Sequence, residues 1–229
     1  MYICNTNYER TELLIPYYYM KRIYVLLINA MFFSIVAYSQ EAGSKSRRTT
    51  VYPQFIPATI TLESGKIVKE RFANVFMKNG TLLYKRNGFN MQADMDMVKR
   101  VDFADRTYLK VDTMLAYVVD TVGNNKLLCS TMIDLNSYKT ELLNNRQITN
   151  LELGSHVNIS TMDLSDTNEY PLINIYYYDI AGKIIKVHER NVIRIIPKNK
   201  RREFNTIIQS DGFSWTDKEW LMRLLEMVR

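Results

Sequence analysis

Cysteine and histidine are nearly absent: the 229 residues hold two of each. Once an N-terminal leader is set aside, Cys129 stands alone and cannot form an internal disulfide, so the fold must stand on its core. Its alternating apolar neighbours in "KLLCSTM" place it as a buried thiol in a strand, not as an activated nucleophile. His156 in "GSHVNIS" and His188 in "KVHERN" each lack a second ligand two to four residues away, which argues against zinc. His188 reads as a strand surface residue beside Glu189 and Arg190. The eight glycines are too few and too scattered for a phosphate-cradling loop. No serine sits in a G-x-S-x-G elbow. No cofactor is expected.

A long apolar run is present once. Lys21 and Arg22 precede fifteen uncharged residues, Ile23 to Ala37, and Ala37 and Ser39 are small residues just ahead of Gln40. Positive start, apolar middle and small-residue cut site are the three parts of a secretory signal peptide. The run is short of the roughly 20 residues that a membrane span needs. Apolar on every side, it also lacks the polar face of a surface helix. An uncleaved anchor and a buried helix are the competing readings. Residues 20–39 are therefore expected to be a signal peptide, and residues 1–19 a misassigned upstream extension. Gln40 stands where a lipoprotein would need cysteine, and the only membrane involvement expected is through the export signal.

Removing residues 1–39 takes away three of the 30 basic and two of the 24 acidic residues, leaving 27 and 22, a net charge of +5. Export removes nucleic acid as a partner for this mild basicity and leaves lipid headgroups or anionic polysaccharide. The basic residues cluster at Lys45, Arg47 and Arg48, and again at Lys198, Lys200, Arg201 and Arg202. Such runs are ordinarily solvated faces.

Residues 40–51 include "EAGSKSRRTT", nearly devoid of apolar side chains, and read as a flexible lead-in. Residues 52–135 then alternate apolar and polar positions in short runs, which predicts a β-rich unit. Asn-Gly pairs at 79–80 and 87–88 supply the positive φ angles of two-residue hairpin turns. They bracket Thr81 to Arg86 and predict a three-stranded meander. Residues 136–229 form a second β-unit with C-terminal helices. "NSYKTELLNNR" reads as a short helix with Tyr138 and Leu142 on one face, and the stretch from Pro171 to Ile196 as strands with a turn at Ala181-Gly182. Phe204, Ile207 and Ile208 mark one helix stopping at Gly212. Trp220, Leu221, Leu224, Leu225 and Val228 mark another, with Thr216 and Glu219 as a capping box. The fold class expected is α+β: a predominantly antiparallel curled sheet or small barrel closed by two C-terminal helices. An echo, Gly65-Lys66 to Asn74-Val75 against Gly182-Lys183 to Asn191-Val192, raises the option of two related β-units or of convergent hairpins.

Acidic side chains offer two candidate sites. Asp94 and Asp96, two apart in a strand, would share a face as a glycosidase pair must. Asp163, Asp166 and Glu169 offer oxygen ligands on a polar loop, without the glycine and spacing of an EF-hand. Aromatic side chains offer binding surfaces. Tyr176 and Tyr178 share a strand face, opposite Tyr177, and an exposed row would stack sugars or peptides. Trp215 and Trp220 either anchor the last helix in the core or dock a partner.

The Lys21-Arg22 leader ending at Ser39, the Asn-Gly-rich small strands and the terminal "KNKRREFNTIIQ" and "DKEWLMRLLEM" helices resemble exported proteins of unknown function from Bacteroidota. That resemblance implies a periplasmic or outer-membrane location. Asp112-Thr113-Met114 and Asp120-Thr121-Val122 are similar to the O-glycosylation motif of that phylum, which implies Thr113 and Thr121 as modification sites. The leading expectation is a non-catalytic envelope module that binds a protein or glycan. The alternatives are a hydrolase using Asp94 or Asp96, and a structural subunit that docks through Trp215, Trp220 and residues 198–202.

Overall fold

The computed structural model describes residues 44–144 and 168–228. The leader at 20–39, His156, Asp163 and Asp166 lie outside the described residues. The expected meander is present. β3 (Ile67–Phe76), β4 (Thr81–Arg86) and β5 (Phe89–Gln92) run antiparallel in succession. Asn87 and Gly88, at φ 51° and 84°, make the two-residue turn between β4 and β5. The other Asn-Gly pair behaves differently. The connection from Phe76 to Thr81 has four residues, and Gly80 carries the positive φ, at 72°. Asn79 turns its side-chain oxygen to the Thr81 N–H at 3.2 Å and hydroxyl at 2.7 Å.

These strands belong to one 11-stranded antiparallel sheet. Its other members are β1 (Lys45–Ser46), β2 (Ile56–Leu62), β6 (Val98–Asp102), β7 (Thr107–Val111), β8 (Met114–Val122), β9 (Asn125–Ile133), β10 (Tyr170–Ile180) and β11 (Lys183–Lys186). The order is β1-β10-β9-β8-β7-β6-β2-β3-β4-β5, with β11 added to β10 through the predicted Ala181-Gly182 turn. The sheet curls without closing. The connection after β3 folds over to β8 and β9: the Leu115 N–H donates to the Gly80 carbonyl at 2.8 Å, and the Ile133 N–H to the Met77 carbonyl at 2.7 Å.

Helix α1 (Leu135–Asn144) begins where the second unit was expected, but the sheet runs across that boundary, pairing Leu172–Asp179 of β10 with Lys126–Ile133 of β9. The internal echo stops at its turn. Gly65 and Gly182 both take positive φ, yet Asn74 lies in β3 and Asn191 in helix α2 (Glu189–Ile195). That helix corrects the expected strand. His188 is its N-cap, with Nδ1 accepting from the Arg190 N–H, and Val192 and Ile196 are buried one turn apart. The two expected C-terminal helices, α3 (Arg201–Ile208) and α4 (Lys218–Glu226), follow, and α2 is a further helix between them and the strands. The cap of α4 is Asp217, not Thr216: its carboxylate accepts the N–H groups of Glu219 at 2.7 Å and Trp220 at 3.4 Å.

Phe204, Leu221, Leu224 and Leu225 from these helices are fully buried with Leu127 and Tyr178 from the sheet. Each contributes about 1.5–3 kcal/mol by leaving water. A second core fills the curl of β2, β3, β4, β6, β7 and β8, with Ile60, Ala73, Val75, Leu82, Val101, Tyr108 and Leu115 inward.

Candidate functional site

The expected flexible lead-in is, from residue 44 onward, a strap tied by backbone pairing to β10 and to the end of β3. Lys45 and Ser46 pair with Pro171 and Tyr170. The Thr49 carbonyl accepts from the Met77 N–H at 2.8 Å, Thr50 bridges to Phe76, and the Val51 N–H reaches the Val75 carbonyl at 3.0 Å. Buried Asn74 fixes the far end by bonding the backbone of Tyr52 and Gln54. The physical reason for the difference is that backbone pairing, available to any sequence, holds this polar segment.

Beside the strap lies a cavity of about 260 Å³. Lys45, Arg48 and Arg106 bring positive charge to it, and among the described residues no carboxylate belongs to its lining. Val75, Met77, Leu115 and Leu172 form its apolar wall. Tyr108, Tyr117 and Thr131 add hydroxyls; register places them together, since Tyr108 pairs with Tyr117 across β7 and β8. Lys45 also contacts Glu141 at 3.0 Å. The Arg106 guanidinium lies 4.8 Å from the centre of the Tyr117 ring and 3.4 Å from Asp105. Asp105 in turn accepts from the Tyr52 hydroxyl at 2.7 Å. Arg48 is exposed and makes no ion pair among the described residues.

Deeper along the same face, Tyr117 and Tyr176 flank Cys129. Burial pushes the Cys129 thiol up, pushes the Tyr176 hydroxyl up to about 12, and raises Tyr108 and Tyr117 as well. These groups are therefore neutral at physiological pH. The site offers fixed cations and neutral hydroxyl donors.

The structure brings Tyr176, Tyr178 and Trp215 together in the helix-covered core and keeps Asp94 and Asp96 in one turn, with none of them in the lining of this cavity. Tyr176 and Tyr178 do share a face, but it is covered. Tyr178 is fully buried and donates to the Leu221 carbonyl at 2.7 Å, and Tyr176 is half-buried, so no exposed tyrosine row exists there. Asp94 and Asp96 sit at a 3-10 turn (Met95–Met97), not in a strand. Asp94 accepts the Asp96 N–H at 3.0 Å, and the Asp96 side chain is 88% exposed with Lys110 at 3.8 Å. Trp215 and Trp220 are half-buried against Phe213, at 4.9 and 5.8 Å between ring centres, and Arg223 stacks on Trp220. Glu169 pairs with Arg47 at 2.8 Å. Thr113 is exposed in the β7–β8 turn, and Thr121 is exposed within β8 opposite Lys126. Lys200 donates to the Met227 carbonyl at 3.1 Å, tying part of the second basic cluster to the end of α4. Among the described residues no group of three or more metal-ligating side chains comes together, and no helix is long and apolar enough to cross a membrane.

Arg106, Tyr108, Tyr117 and Thr131 carry no spacing signal that would have singled them out. Of the cavity's charged residues, only Lys45 and Arg48 stand in a basic cluster visible in the sequence. No protein-family model matches the chain, and no curated protein or solved structure matches it significantly.

Proposed function

We propose that the chain is an exported cell-envelope protein working as a non-catalytic binding module, with the strap-side cavity as its binding site. The observation that carries this reading is the cavity's lining, three basic residues and five hydroxyl-bearing ones over an apolar wall. Pockets that combine an apolar surface with a few convergent polar groups are where small ligands bind. The export half rests on the leader at 20–39. The hydrolase alternative gains little support, because Asp94 spends a carboxylate oxygen on its own turn and Asp96 points to solvent.

Both halves are open to direct measurement. The full-length chain, expressed in a Gram-negative host, should appear in the envelope fraction with an intact mass beginning at Gln40. A mass that retains residues 20–39, or recovery in the cytosol, would refute export. Titration with small solutes from envelope extract should shift the amide resonances of Tyr108, Tyr117 and Thr131. Shifts confined to other surfaces would place the binding site elsewhere.

A further inference from the structure

We infer that this cavity takes a small amphipathic anion, a carboxylate or a phosphate monoester on a short apolar body; this rests on the reading above that the cavity is the binding site. Charge comes first. Arg48 and Arg106 both line the cavity, and a guanidinium offers a planar fork of donors that matches carboxylate or phosphate oxygens. Arg48 is committed to no ion pair among the described residues, and the Asp105 contact of Arg106 is long, with Asp105 shared by Tyr52. The Arg106 guanidinium is held in place by its stacking on Tyr117.

A buried polar group points the same way. Tyr108 is 2% exposed, and among the described residues its hydroxyl makes no hydrogen bond, with Tyr52 and Arg106 as its nearest polar neighbours. A buried hydroxyl left unpaired costs on the order of 1–3 kcal/mol. An anion seated at Arg106 supplies the acceptor that Tyr108 lacks. The remaining wall, Val75, Met77, Leu115 and Leu172, has nothing to offer a polar body and suits a short hydrocarbon. At about 260 Å³ the cavity is smaller than the roughly 300–1,000 Å³ of sites for drug-sized ligands, which sets the size of the guest.

The test uses the full chain with hexanoate, hexyl phosphate, hexanol and a neutral hexyl glucoside, read by calorimetry and by amide shifts. One or both anions should bind and shift Tyr108, Tyr117 and Thr131, with hexanol at least about tenfold weaker. The tighter of the two anions identifies the head group. Arg48→Gln and Arg106→Gln should each weaken the anion by about 10-fold or more, and Tyr108→Phe by about 3–10-fold, with the arginine variants weakening hexanol far less than the anion. Unfolding midpoints of each variant separate lost binding from lost fold, and exposed Arg48 keeps the test open if the Arg106 variant is unstable. Equal binding of hexanol, or anion binding indifferent to both arginines, overturns the anion inference and leaves the cavity as a site. Shifts produced by the glucoside alone do the same. No shift of the cavity residues by any of the four overturns both readings.

Discussion

The side-chain amide of Asn74 grips the backbone of Tyr52 from both sides: its oxygen accepts from the Tyr52 N–H at 3.0 Å and its nitrogen donates to the Tyr52 carbonyl at 2.9 Å. The same nitrogen reaches the Gln54 carbonyl at 3.1 Å, and the same oxygen takes the Val75 N–H at 2.9 Å. Asn74 is 1% exposed, so water cannot replace these bonds. Asn74→Ala should destabilise the chain by roughly 2–4 kcal/mol, because several buried backbone groups lose their partner at once. Urea midpoints measure the loss. Amide exchange at Val51 and Tyr52 should rise more than at Leu127 in the helix-covered core. A loss below about 1 kcal/mol would show that the strap is held by its backbone pairing alone.

Gly80 makes a sharper demand on its position than Gly65 does. Both have positive φ, 72° and 82°, where a side chain is strained. A Cβ on Gly80 would lie 2.6 Å from the Met114 Cβ, whereas one on Gly65 meets nothing within 4 Å. Gly65→Ala should therefore cost about 1 kcal/mol, the backbone term alone. Gly80→Ala adds a clash at the contact that folds the β3–β4 connection onto β8, for a total of roughly 2–5 kcal/mol. Equal unfolding midpoints for the two variants would contradict the close approach.

Local chemistry made some elements readable and left others hidden. Thr81–Arg86 was legible because a turn signal stands on each side of it, and the helices at Tyr138, Phe204 and Leu224 because each repeats apolar residues at helical spacing. The segment Val192–Ile196 was misread because its β-branched run favours strand; a His188 cap and burial of Val192 and Ile196 among other helices decided for helix. The strap was misread because polar residues give no periodicity, and what orders it lies at Asn74, Met77 and Pro171, far along the chain. The cavity was invisible for a related reason. Tyr108, Tyr117 and Thr131 stand on separate strands, and only pairing register together with the curl of the sheet assembles them.

Cys129 is fully buried between Tyr117 and Tyr176, and burial raises its thiol above the ordinary value. Thiolate, the reactive form, is thus scarce, and reagents have no path to it. A full-length Cys4→Ser variant should leave Cys129 unlabelled by an aromatic disulfide at pH 8 for hours and should react with one equivalent once unfolded in guanidinium. Prompt labelling of the folded chain would mean that the layer between the cavity and the helix-covered core opens readily.

Lys78 gives the stability a pH dependence of definite sign. It lies in the connection between β3 and β4, is 2% exposed, and burial pushes its ammonium down from 10.5 to about 8. Below pH 8 the folded and unfolded chains both hold the proton, and the cost of burying the charge is fully present. Between pH 8 and 10.5 the folded chain releases the proton while the unfolded chain keeps it, so this group's contribution to stability rises with pH across that window. Cys129 and the buried tyrosines act in the opposite direction above their ordinary values, since each stays protonated longer in the folded state. A comparison with Lys78→Met removes them, because they titrate alike in both chains. Urea midpoints at fixed ionic strength from pH 7 to 11 should show the wild-type chain gaining on the variant from pH 8 upward and levelling near 10.5. A constant difference across that range would mean that Lys78 keeps an ordinary ammonium in the folded protein.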